Sequence, residues 1–152
     1  MGWKIVVGSD NAGYGHKEAF KELLEADDRV DSVIDVGVTG REDGTLYPNV
    51  AEEAAKKVAS GEVERGLLVC GTGLGVAISA NKVQGVRAVT AHDLYSVQRS
   101  VLSNNAQVLC MGERVIGLEA AKALVDVWLD LHFDESSSSA PKVAEINRID
   151  GC

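Results

Sequence analysis

Apolar residues fall into short runs rich in Val and Ile, near Lys4–Val7, Val33–Val36, Gly66–Cys70, Val86–Thr90 and Gln107–Met111. Between them, at about Tyr14–Glu25, Pro48–Ala59, Gly75–Lys82, Leu94–Leu102 and Leu118–His132, apolar positions recur at helical spacing. In the second of these, Pro48 suits a first helical turn, and Ala51, Ala54, Ala55 and Val58 share one face. Gly13, Gly37, Gly61, Gly85 and Gly117 punctuate the pattern. The alternation predicts five βα units. Runs such as LLVC show no polar alternation, so their strands should be covered by helices on both faces. The expected fold is α/β, a doubly wound five-stranded parallel sheet in a flavodoxin-like (Rossmann-like) three-layer sandwich.

The pattern changes after residue 133. Asp134–Ala140, reading DESSSSA, is polar and low in complexity, and PKVAEINRID then reads as one last short helix with Val143, Ile146 and Ile149 in a stripe. Residues 1–133 are therefore expected to form a single domain, and 134–152 a C-terminal tail whose stripe packs on a partner subunit.

Composition narrows the function classes. With 152 residues and 45% hydrophobic content, the chain suits one compact domain. No run approaches the ~18 apolar residues of a membrane span, and MGWKIVVGSD lacks a signal-peptide pattern. Cys70, Cys110 and Cys152 form no paired framework, as expected in a reducing compartment, so a cytoplasmic location is expected. A net charge of −8 leaves no basic footprint for nucleic acid or an anionic membrane, so an anionic substrate must be held by local groups. His16, His92 and His132 sit on different elements without ligand spacing, and no metal is expected.

The candidate chemistry lies in LLVCGTGLGVAISANK, residues 67 to 82, where a buried strand ends at Cys70 and passes through Gly71, Thr72, Gly73, Leu74 and Gly75 into a helix. Glycines let backbone N–H groups approach an anion, and a helix N-terminus adds partial positive charge. A thiol in that setting has a lowered pKa and serves as base or nucleophile; the bland reading of Cys70 is a small buried hydrophobe. Gly75 is followed by Val76 and Ala77, not the Lys and Ser/Thr of a nucleotide-triphosphate loop. The glycine pattern G-x-G-x-G follows the third strand, against a dinucleotide site, although Asp93 lies at a suitable distance. Val76 stands where a cysteine phosphatase needs Arg. Asp10 and Asn11 after the first strand, Tyr47 after the second and His92 after the fourth should meet at the same carboxyl edge. Asp10 is equally suited to cap a helix, His92 to a strand-end hydrogen bond, and Ser103-Asn104-Asn105 to a helix C-cap.

GSDNAG, TLYPNVA, CGTGLGVAISANKVQGVRAV, HDLYSVQ and NNAQVLCMGERVIGLEAAK, together covering nearly the whole chain, resemble the ribose-5-phosphate isomerase B and galactose-6-phosphate isomerase family. The resemblance implies an aldose–ketose isomerase acting through an enediolate, without metal or organic cofactor, as a homodimer or dimer of dimers with interfacial sites. It implies Cys70 as the base, Gly71 to Gly75 as the enediolate cradle and Thr72 as a proton shuttle. Asp10 and Asn11 would meet substrate hydroxyls, Tyr47 would line the pocket, and Arg114, otherwise an ordinary surface charge, would bind phosphate. The departures are informative. Asn11 replaces the His of the family's DHAG, Ser103 the His before the Asn pair that begins at Asn104, and Ser138 and Lys142 two C-terminal arginines. In pentose-phosphate isomerases the second His opens the furanose ring. A tetrose 4-phosphate has O4 esterified and forms no furanose, so the resemblance points to the branch acting on D-erythrulose 4-phosphate and D-erythrose 4-phosphate. Ribose 5-phosphate is the alternative substrate. A catalytically silent sugar-phosphate or nucleotide binder is the alternative from another class.

Overall fold

In the computed structural model, which describes residues 1–152, each apolar run becomes a strand: β1 (Trp3–Ser9), β2 (Val30–Asp35), β3 (Arg65–Cys70), β4 (Ala88–Thr90) and β5 (Val108–Gly112). All pair in parallel, in the order β2-β1-β3-β5-β4. The helices are α1 (Tyr14–Glu25), α2 (Tyr47–Ala59), α3 (Leu74–Ala80), α4 (Leu94–Leu102), α5 (Leu118–Leu129) and α6 (Ala140–Asp150). The doubly wound, five-stranded parallel sheet expected from the pattern is present. Relative to the 2-1-3-4-5 order of flavodoxins, the last two strands are exchanged. Their composition accounts for it: β5 is buried throughout and takes an inner place, whereas β4 has three residues and suits an edge.

The two helical layers differ in bulk. On one face α1, α4 and α5 contribute Phe20, Leu24, Val97, Val101, Leu124 and Trp128 against Ile5, Val7, Leu67, Val69, Leu109 and Met111. On the other, α2 and α3 contribute Ala51, Ala54, Ala55, Ala77 and Ala80 against Val6, Leu68, Cys70, Val108 and Cys110. Small side chains let α2 and α3 lie close to the sheet and to each other. Cys70 points into this thin layer.

The end of α3, the start of β4 and the end of α5 fall short of their expected limits, each because a side chain takes over the backbone bonding. The amide of Asn81 donates to the Ala88 carbonyl and accepts from the Ala88 N–H, both at 2.8 Å, so α3 stops at Ala80 and β4 starts at Ala88. At the same amino end of the sheet, the buried Arg65 guanidinium lies 3.8 Å from the Trp3 ring centroid and donates to the carbonyls of Trp128, at 2.6 Å, and Leu131. Trp3 Nε1 donates to the Leu129 carbonyl at 2.9 Å. Three carbonyls at the end of α5 are thus satisfied, and the helix closes at Leu129. The tail forms α6, which seats Val143 on its own chain and bonds through Asp150 to the Gly85 N–H (2.7 Å) and through Asn147 to Arg87 (2.9 Å). Ile146 and Ile149 of the expected stripe stay exposed.

Burial pushes the Arg65 pKa down to about 10, so the group remains charged at neutral pH, where its positive charge complements the carboxyl end of α5. Charged hydrogen bonds of this kind contribute about 1.5–3 kcal/mol each. Arg65→Met should therefore lower unfolding free energy by roughly 3 kcal/mol in urea titrations, and Arg65→Lys should restore only part, since one ammonium cannot span both carbonyls.

Candidate active site

The chain reverses winding direction between β1 and β3, and open α/β sheets bind ligands in the crevice outside the carboxyl ends of strands at such a point. Here a cavity of about 220 Å³ is lined by Asp10, Ala12, Tyr47, Cys70, Gly71, Thr72, Gly75 and Arg114. Four loops meet there. A larger cavity of about 520 Å³, lined by Met1, Trp3, Arg29 and His132 among others, lies at the opposite end of the sheet, away from Cys70.

The loop after β3 is shaped by what its glycines omit. Gly73 has φ +78°, and a Cβ there would stand 2.7 Å from the Met111 carbonyl carbon. A Cβ on Gly75 would stand 2.3 Å from the Tyr47 ring, which packs against the start of α3. In that conformation the Gly73 N–H donates to Cys70 Sγ at 3.1 Å, and the Leu74 N–H donates to Thr72 Oγ1 at 3.2 Å. Cys70 is 5% exposed, so its sulfur is reached only from the cavity. Cys110, on the neighbouring strand, is fully buried, and burial pushes its thiol up; it faces no solvent and is the inert member of the pair.

The turn after β5 closes the other side. The Arg114 N–H donates to the Gly71 carbonyl at 3.0 Å, and its exposed guanidinium lies over Gly71, where a Cβ would stand 3.1 Å from Nη1. Glu113 reaches across to α1, which has no N-cap side chain of its own, and accepts from the His16 N–H at 2.7 Å. It also accepts from Arg41 at 2.8 Å, and the other end of the Arg41 fork donates to the Asn11 carbonyl at 3.0 Å. Burial opposes the Glu113 charge, but His16 N–H and Arg41 outweigh it and hold the carboxyl below its usual range. Arg41 and Glu113 thereby tie together three of the loops that bear the cavity. Neither carries a local signal in the sequence: Arg41 sits in REDG, an ordinary charged loop, and Glu113 in a short turn 72 positions later.

The expected residues divide into two groups. Asp10, Tyr47, Cys70, Gly71, Thr72, Gly75 and Arg114 converge, with the backbone of Gly73 and Leu74. Asp10 combines both readings: it lines the cavity while one carboxylate oxygen accepts from the Gly13 N–H at 3.1 Å. Asn11 is exposed and presents its carbonyl to Arg41, outside the cavity lining. His92 also stands outside it, because Nε2 accepts the Gly112 N–H at 2.8 Å and the ring serves as a strand-end acceptor. Ser103 and Asn104 follow α4, at the amino end of the sheet; Ser103 accepts from Arg99 at 2.7 Å and Asn104 lines a separate cavity with α6. Lys142 is exposed on α6. No three His, Cys, Asp or Glu side chains come together as metal ligands, and no helix is long and apolar enough to cross a membrane.

The His92 bond requires a neutral ring, and burial lowers its pKa against the weaker opposing pull of Asp93. The unfolded chain therefore takes up this proton first as pH falls. The stabilisation is complete above about pH 6.5 and is lost as pH drops from there through the folded pKa. Unfolding titrations at pH 7.5 and 5.5 should show this loss, and His92→Gln should reduce it.

Sequence and structural comparisons agree on kinship. Residues 5–146 match the family model described as Ribose/Galactose Isomerase. The chain is 69% identical over 151 residues, 99% of each chain, to D-erythrulose-4-phosphate isomerase 2 of Mycolicibacterium smegmatis. It is 43% identical to D-erythrulose-4-phosphate isomerase of Pectobacterium atrosepticum, covering 93% of this chain and 91% of that one. Among solved structures, ribose-5-phosphate isomerase B of Clostridium thermocellum superposes with a TM-score of 0.91 at 40% identity, covering 97% of both chains. A cysteine against a glycine cradle at the switch point of this sheet, with matches over essentially the full length, places the chain in the ribose/galactose isomerase family.

Proposed function

We propose that the substrate of this sugar-phosphate aldose–ketose isomerase is a tetrose phosphate, D-erythrulose 4-phosphate interconverting with D-erythrose 4-phosphate. The observation that carries the reading is the absence of a ring-opening acid–base group from the crevice. No histidine lines the cavity, His92 Nε2 is committed to Gly112, and Ser103 stands where pentose-phosphate isomerases resemble one another in having His. An acyclic tetrose phosphate needs no such group. The 69%-identical relative, named for D-erythrulose 4-phosphate, supports the same choice.

In this mechanism Cys70 Sγ, as thiolate, removes a proton from C1 of the ketose, and the electron pair moves into a C1–C2 double bond as charge develops on O2. Backbone N–H groups of the loop from Gly71 to Gly75 hold that oxyanion, where such donors contribute ~10²–10³-fold. Thr72 Oγ1 accepts from Leu74, so its own proton is available to relay the O1 proton to O2. Cys70 then returns its proton to C2, giving the aldose, with no atom gained or lost. Arg114 offers a planar fork to the phosphate, and Asp10 meets a hydroxyl.

The enzyme acts in this reading as a homodimer in the cytoplasm, where Cys70 stays reduced. Ser103, Asn104 and Lys142 lie outside the cavity of their own chain, as residues serving the partner's site would. Leu46, Leu74, Ile78, Leu94, Tyr95 and Val115 are exposed around the carboxyl edge, as an unpartnered interface would be.

Three outcomes are expected. The ratio of kcat/KM for D-erythrulose 4-phosphate over D-ribose 5-phosphate should exceed ~10²; parity or a preference for ribose would reject the tetrose assignment. Cys70→Ala should bind substrate yet fail to exchange its C1 hydrogen with deuterated solvent, and full exchange would remove Cys70 as base. Ile78→Arg, placing a charge in the apolar rim, should sediment as a monomer with less than a tenth of the activity, roughly the cost of an unpaired interface charge.

A further inference from the structure

The Gly73–Leu74 peptide is gripped at both ends. Its carbonyl oxygen accepts from Thr90 Oγ1 at 2.6 Å, and its N–H donates to Thr72 Oγ1 at 3.2 Å. In a trans peptide C=O and N–H point in opposite directions, so fixing one fixes the other. Without the hydroxyl this unit would be held weakly on its glycine side, because Gly73 sits at φ +78° with no Cβ to restrict rotation. Thr90 is well placed as an anchor. It is the last residue of β4, paired in register with Cys110 of β5, and it is half-buried and β-branched, so few rotamers are open to it. Two residues on, His92 holds the Gly112 N–H, and Gly112 lies against the Thr72 backbone, where a Cβ would come within 2.5 Å. The end of the edge strand thus grips the cradle loop from its outer side.

Building on the isomerase mechanism proposed above, we infer that Thr90 is a positioning residue for the enediolate: its hydroxyl, donating to the Gly73 carbonyl, holds the Leu74 N–H and the Thr72 hydroxyl in the orientation the reacting oxygens require. Thr90 lines no part of the cavity and touches substrate only through the loop. Its contribution should therefore appear in the transition state and hardly in ground-state binding of the phosphate or the sugar chain.

The experiment compares wild type, Thr90→Val, Thr90→Ser and Thr90→Ala. For each, kcat and KM are measured together with dissociation constants for two phosphorylated probes of the substrate's chain length. One is a hydroxamate, whose planar pair of oxygens imitates the enediolate, and the other an alditol phosphate, which has no oxyanion. Thr90→Val should lose about 10- to 100-fold in kcat, on the scale of a misplaced reacting group, with KM and alditol binding within about twofold. Hydroxamate binding should weaken in parallel with kcat. Ser and Ala both delete the methyl and differ only in the hydroxyl. The Ser variant should stay within about threefold of wild type and the Ala variant should follow Val, a comparison that holds even if Val disturbs the fold. Wild-type kcat in Thr90→Val, equal loss on both probes, or equal loss in Ser and Ala would each overturn the inference. Failure of wild type itself to turn over the sugar phosphate would instead reject the substrate reading.

Discussion

Two stretches of backbone touch where the loop after β3 meets the end of β5, and the site depends on that contact. A Cβ on Gly73 would meet the Met111 backbone at 2.7 Å, and a Cβ on Gly112 would meet the Thr72 backbone at 2.5 Å. The contact is reciprocal, with one glycine yielding on each side. A side chain at either position would push the loop outward, moving the Gly73 N–H from Cys70 Sγ and the Arg114 N–H from the Gly71 carbonyl. Preorganisation in this enzyme is therefore a packing property of main chain on main chain, which is stiffer than an arrangement of rotatable side chains.

That contact exists only because β5 lies beside β3. In the 2-1-3-4-5 order the neighbour of β3 would be β4, whose three residues run into the Asp93 cap of α4. The exchange brings the turn carrying Glu113 and Arg114 against the cradle and sends β4 outward, where Thr90 and His92 reach back over β5. The alanine-rich layer of α2 and α3 complements it. A bulkier layer would lift Tyr47 off Gly75 and open the cavity on its remaining side.

Much of this was legible in the chain, and the limits of legibility are physical. Strand runs, helical faces and the glycine cradle are local patterns, so five βα units and the Cys70 loop could be read directly. Strand order could not, because β4 and β5 differ by burial that only the assembled sheet decides. His92 and Ser103 mark another limit. Both types are chemically versatile, but which ring nitrogen is free, and which edge of the sheet a residue occupies, depend on partners 20 and four residues away, Gly112 and Arg99. Arg41 and Glu113, 72 positions apart, carry no local signature at all. A hydroxyl two residues before His92, at the end of the fourth apolar run, is the one local hint of Thr90.

The electrostatics follow from the same economy of local bonds. A chain of net charge −8 that binds a phosphate ester must keep its own carboxylates from competing for the cationic and N–H donors at the crevice. Charges more than about 8 Å away are largely screened at physiological salt, so only those at the carboxyl edge matter. There the acids are engaged: Asp10 accepts from Gly13, Asp93 from Ser96, and Glu113 from His16 and Arg41. Each of the three caps a turn or helix start, where negative charge is complementary to the exposed N–H groups. Arg114 is left lining the cavity beside Gly71, Thr72 and Gly75. An acidic protein can therefore hold a dianion because the carboxylates nearest it are already spent on capping.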